Sequence, residues 1–168
     1  MDDGTKRVIW GQFGAAIDML ENALLACPDS LWADRSSPPE FWYMVFHTLF
    51  WLDYYLEGTP EGYAPPSGYP MTELDPEGAM PGRVYSKAEL QEYLRHGRRK
   101  CRAVVGSLTA ERAAARCGFP RRDLSIAELL LYNARHVQHH AGQLNLILRQ
   151  RTDSAPRWVA RAGQPLAD

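Results

Sequence analysis

Three of the chain's five histidines fall within five positions of one another, in the stretch RHVQHHAGQLN at residues 135–145. Imidazole is a leading protein ligand for first-row divalent metals and also the side chain whose charge changes near neutral pH, so the cluster raises metal binding and acid–base chemistry together. Where each ring points depends on the helix that carries it. Successive residues turn by about 100°; with Ile126 set at zero, Ile126, Leu129, Leu130, Val137, Leu144, Ile147 and Leu148 fall within about 60° of one direction, the buried stripe. On that wheel His140 lies about 40° from the stripe centre and His136 about 80° away on its border, while His139, at about 140°, faces outward. His136 and His140 are one turn apart, so both rings can converge on a point beside the core. Gln143 continues the same edge, where its amide could donate to a metal-bound ligand or orient His136 or His139.

Two imidazoles make an incomplete site, because zinc, nickel or iron needs further protein donors. His47 and His96 remain. His96 sits in the basic run RHGRRKCR, whose cations oppose a dication, so His47 in WYMVFHTLFWLDYYL is the better third ligand. Its helix is apolar nearly all round, with Phe41, Val45, Leu49, Leu52 and Leu56 on one face and Tyr43, His47, Phe50, Trp51 and Tyr54 on another. Such a helix must be covered on both sides. The aromatic face is then either a pocket lined by Tyr43, Phe50, Trp51 and Tyr54 or a subunit interface. Among carboxylates that could act as a base, Asp53 stands about 120° from His47 and Glu128 about 80° from His136, so neither is well aimed.

Periodicity and caps supply the elements that must position these residues. Four long helices are expected at about 5–26, 37–57, 86–106 and 125–151, with a short helical piece at about 109–115 capped by Thr109. Ser37-Pro38-Pro39-Glu40, Ser86-Lys87-Ala88-Glu89 and Ser125-Ile126-Ala127-Glu128 each have the form of a capping box. Residues 58–84 are dense in proline and glycine and carry no apolar period; a connection this long is either a functional flap or a poorly ordered excursion. The tail from Asp153 reads as irregular, with Trp158 covering apolar surface or folding over the site mouth. No alternating run suggests a sheet. The expected architecture is an all-α four-helix bundle, one domain over residues 1–168, with a long crossover between the second and third helices.

The chain has 168 residues, 45% of them hydrophobic and 23% charged, which is enough to bury a core without metal or disulfide staples. A metal here would therefore be functional. Cys27, Cys101 and Cys117 show no CxxC spacing and suggest neither disulfides nor a thiolate zinc site. A net charge of −1 gives no drive toward nucleic acid, and the basic run 95–102 reads as a solvated helix face. No apolar run reaches the roughly 20 residues of a membrane span, and MDDGTKRVIWG lacks the features of a secretory signal, so a cytoplasmic location is expected. Gly142, mid-helix on the outward side, costs about 1 kcal/mol relative to alanine and points to close approach of another backbone, as in a homodimer.

The segments FHTLFWLDYYL and RHVQHHAGQLN, in this order and separation, resemble the DinB-like family of four-helix bundle proteins. The resemblance runs from the first helix to the fourth. It implies a three-histidine divalent metal site built from one histidine on the second helix and an HxxxH pair on the fourth, here His47, His136 and His140. Three imidazoles accept zinc, nickel, copper or iron, with zinc or nickel the expected metal; the resemblance adds a low-molecular-weight thiol as a candidate second cofactor, because the family includes thiol-dependent S-transferases and isomerases. Three neutral ligands leave a metal its full charge and open positions, the arrangement of a catalytic site. The leading expectation is a thiol-dependent S-transferase acting on a small electrophilic substrate. A metal-dependent hydrolase and a non-catalytic dimeric module that binds a metal or small ligand are the alternatives.

Overall fold

In the computed structural model, residues 1–36 and 38–166 are described. Helix α1 (Asp3–Ala26) begins two residues ahead of the expected Thr5, because Asp2 acts as its cap and accepts from the Thr5 backbone N–H at 2.9 Å. Pro28 ends that run and leads into α2 (Asp29–Trp32), a single turn that periodicity did not register. Helix α3 (Phe41–Glu57) starts later than the expected residue 37. Ser37, the serine of the expected capping box, lies outside the described residues. Glu40 makes no cap: its carboxylate accepts from Trp42 Nε1 and pairs with Arg35 at 3.1 Å. Pro39 disfavours helical backbone at the residue before it, which keeps the start of α3 beyond the two prolines. At the other end Gly58, with φ of 79°, takes the left-handed turn that stops the helix.

Helices α4 (Lys87–Gly106) and α6 (Ile126–Thr152) open with the expected capping boxes, Ser86 with Glu89 and Ser125 with Glu128. Thr109 caps α5 (Ala110–Ala114). Glu128 is therefore committed to a helix start and is not a base. Among the described residues there is no strand, only an isolated bridge between Arg116 and Ser125. In the bundle, α1 packs on α4 and α6, and α3 packs on the same two.

The packing of α3 on α6 decides where the histidines meet. The two run antiparallel. Gly58 faces the Ile126 side chain, the Leu52 carbonyl accepts from Asn133 Nδ2 at 2.9 Å, and His47 lies opposite His136 and His140. Asn133 is fully buried, so this hydrogen bond forms without competition from water and pins the axial register.

The crossover between α3 and α4 explains why α3 is apolar all round. Tyr85 stacks on Phe46 at 5.4 Å, Tyr63 meets Phe50 edge-on at 5.6 Å, and Tyr69 stacks on Tyr93 of α4 at 4.3 Å. The aromatic face that offered a choice between pocket and subunit interface is thus covered largely by this chain's own strap. Tyr63 also donates to Asp53 at 3.0 Å, and Tyr69 donates to the Glu89 carbonyl at 2.6 Å.

Asp53 is 1% exposed and takes Lys100 at 2.6 Å and His96 at 3.2 Å. It is a core ion pair, not a base. The basic run is a solvated face only in part: Arg95 and Arg99 are exposed, whereas Arg98 turns inward to Asp18 and Glu21 of α1. The tail is irregular but tied to α1, through Ala162 N to the Gly11 carbonyl at 2.9 Å and Trp10 Nε1 to the Gln164 carbonyl at 2.7 Å. Trp158 is 70% exposed and covers neither apolar surface nor the histidines. A Cβ at Gly142 would meet nothing within 4 Å, so no close approach within this chain accounts for that glycine. No helix among the described residues is long and apolar enough to cross a membrane.

Lys100→Met removes the cation from a carboxylate that stays buried and is expected to lower stability by about 3 kcal/mol, read as a reduced urea midpoint. A midpoint equal to wild type would show that Asp53 is satisfied by its tyrosine and histidine partners alone.

Candidate metal centre

His47 projects from the middle of α3, while His136 and His140 project from adjacent turns of α6. Each offers one ligand nitrogen, and the three nitrogens lie within 4.8 Å of one another. Ring centroids are 5.4 Å apart for His47 and His136, 4.8 Å for His47 and His140, and 4.6 Å for His136 and His140. His139 is exposed, as its wheel position required. His96, on α4, pairs with Asp53 of α3 and is not one of the three.

The electrostatics favour neutral rings. Burial, followed by the neighbouring imidazoles, brings His136 down to about 3, and burial with His47 brings His140 down to about 4. Protonating His136 or His140 would place charge beside a neighbouring ring in a largely buried setting. His136 Nε2 is buried and has no hydrogen-bond partner among the described residues. An unpaired acceptor in a dry site is costly, and a coordinated cation removes that cost, so the donor set and its unmet nitrogen fit a divalent ion.

The surrounding hydrogen bonds orient two of the rings. Gln143 Oε1 lies 2.7 Å from His140 Nδ1, not beside His136 or His139 as expected; its spacing of three residues puts it on His140's own face. His47 Nδ1 lies 2.6 Å from Glu73 Oε2, and the same oxygen accepts from Trp51 Nε1 at 3.0 Å. Glu73 comes from a 3-10 turn, Thr72–Leu74, inside the crossover. Burial pushes its carboxyl up, but hydrogen bonds from His47, Tyr43 and Trp51 outweigh this and hold it below the usual carboxylate range. Sequence reasoning missed Glu73: nothing in an aperiodic, proline-rich segment marks one of its acids for burial.

The four aromatic residues expected to line a pocket divide into two pairs. Tyr43 and Trp51 each stand 6.3 Å from His47 by ring centroid and are half-buried. Phe50 and Tyr54 are buried in a cluster with Tyr63, and Tyr54 also packs on Phe119. On the other side Tyr55, unmarked by the sequence, stands edge-on to His136 at 6.3 Å, and the Arg122 guanidinium donates to its hydroxyl at 2.7 Å. His136 also borders an open concavity of about 430 Å³, shared with Tyr132, Arg135, Gln138 and His139. That volume suits a small ligand.

The family model of the DinB superfamily matches residues 12–144, a span that contains all three clustered histidines, Glu73 and Gln143, and the chain belongs to that superfamily. No curated protein and no solved structure matches.

The depressed histidines carry a pH signature. Each has a folded value below its unfolded value of 6.5, so the unfolded chain takes up protons first as pH falls, and stability that is complete above about 6.5 is lost toward about 4. The urea midpoint of metal-free protein is expected to fall between pH 6.5 and 5 and to fall less in His136→Gln/His140→Gln. Parallel pH dependence in the two proteins would show that these rings are not buried in the neutral form.

Proposed function

Since the chain belongs to the DinB superfamily, whose members often bind metal, we propose that it is a divalent-metal-dependent enzyme with His47, His136 and His140 as ligands. The observation that carries the reading is the convergence of three histidine ligand nitrogens within 4.8 Å from two antiparallel helices. Zinc or nickel suits three imidazoles, and when bound such an ion supplies Lewis acidity that lowers the pKa of a coordinated thiol or water.

The chain's own residues then have definable roles. Glu73 keeps the His47 Nδ1 proton in place, which leaves Nε2 as that ring's ligand atom, and Gln143 does the same for His140 from its own helix. Tyr43 and Trp51 exclude water on the α3 side. The concavity beside His136 and His139 gives a small substrate room to approach.

The leading reading is a thiol-dependent S-transferase in which the thiol loses its proton to solvent and its sulfur displaces a leaving group, which departs with the bonding pair, from a small electrophile. Three neutral ligands support it, because an undiminished positive charge at the centre stabilises a thiolate. A hydrolase, in which the ion would acidify a bound water, is the alternative, but Glu73 lies behind His47 on its Nδ1 side and is placed to orient that ring, not to act as a base. A cytoplasmic homodimer is the expected setting, with α6 presenting exposed Leu131, Gly142 and Leu146.

Protein purified without an affinity tag is expected to carry about one zinc or nickel ion per chain by elemental analysis, and His136→Ala little or none. Loaded wild type is expected to consume thiol in the presence of a panel of electrophiles. Ester cleavage without thiol would favour the hydrolase, and metal content unchanged in His136→Ala would remove the basis for both.

A further inference from the structure

Glu73 is the one residue of this centre that no bundle helix carries. It sits on a single 3-10 turn, yet its side chain is only 4% exposed. A carboxylate reaches that degree of burial only when specific partners hold it. The partners here are on α3: His47 Nδ1 at 2.6 Å and Trp51 Nε1 at 3.0 Å, from two successive turns. The crossover is also fastened by Tyr63 on Asp53 and Tyr69 on the Glu89 carbonyl before residue 73 and by Arg83 on Glu89 after it, so residue 73 is presented by a segment anchored on both sides. That segment faces water as well: Met71 is 43% exposed and Met80 49% exposed on either side of the turn. Among its anchors, the Glu73 contact alone reaches one of the clustered histidines.

Two consequences follow from the geometry. Glu73 selects the tautomer of His47, because a proton held on Nδ1 leaves Nε2 as the basic nitrogen. Its negative charge also lies one ring away from the place where a dication would sit, and carboxylate partners of this kind strengthen a histidine as a ligand.

We propose that Glu73 is a positioning residue that makes the crossover part of the metal centre, coupling metal affinity to the docking of residues 58–84. The inference rests on the three-histidine metal reading. Coupling of this kind is reciprocal: a docked crossover raises metal affinity, and bound metal holds the crossover down by the same factor. The crossover is then the flap that its length suggested, docked on α3 by its tyrosines and held more firmly when the ion is bound.

The test uses the full chain, zinc as the probe, and Glu73→Gln, which keeps the shape of the side chain and removes its charge. Competition against a chromophoric chelator is expected to show zinc affinity in Glu73→Gln lowered about 10- to 100-fold. Hydrogen–deuterium exchange over residues 68–80 is expected to slow when zinc is added to wild type and to change little in Glu73→Gln. Circular dichroism checks that the variant keeps its helices. Zinc affinity of Glu73→Gln within twofold of wild type, or exchange over 68–80 indifferent to zinc in wild type, overturns the coupling while leaving the metal reading intact. Wild type that binds no zinc overturns the metal reading itself.

Discussion

The register between α3 and α6 is the constraint on which the centre depends. A shift of one residue along a helix moves a side chain by about 1.5 Å and turns it by about 100°, enough to take an imidazole off a shared point. The Asn133 amide on the Leu52 carbonyl fixes that register inside the dry core, one turn from His136, and the caps at Gly58 and Ser125 set where the two rods end and begin. The ligands therefore sit on rigid elements whose relative position is decided by packing, which is what a site held to a fraction of an ångström requires.

The rest of the fold can be read as support for that meeting of helices. α1 and α4 complete the bundle on the far sides, and the crossover closes the face of α3 that no helix covers. Charge is distributed to match. Asp53, on the α4 side, is neutralised within the core by Lys100, whereas Glu73, on the histidine side, meets only hydrogen-bond donors from α3. Burial keeps His136 and His140 uncharged. Three imidazole donors, one nearby carboxylate and an unpaired buried nitrogen together describe a place prepared for positive charge.

Much of this was legible in the sequence because helix geometry is local. The wheel separates His136 and His140 from His139 with no knowledge of the fold, and the capping boxes at Ser86 and Ser125 mark helix starts by their own hydrogen bonds. His47 needed elimination and resemblance, since a helix apolar on every side has no preferred direction on a wheel. The misreadings share one cause: they depended on what lies opposite. Asp53 reads as a spare carboxylate until Lys100 is placed against it, and Arg98 reads as solvated, like Arg95 and Arg99, until it meets Asp18. Glu73 is the clearest case. It lies in a segment without period, and only the tertiary path of residues 58–84, pinned by tyrosines that follow no repeat, carries it to His47.

The most direct measurement of the central claim is X-ray absorption at the zinc edge on zinc-loaded protein. The account expects about three imidazole nitrogens at about 2.0–2.1 Å, with the multiple scattering of intact rings, and one fewer ring in His47→Ala. A spectrum fitted by sulfur donors, or one unaltered when His47 is removed, would contradict it.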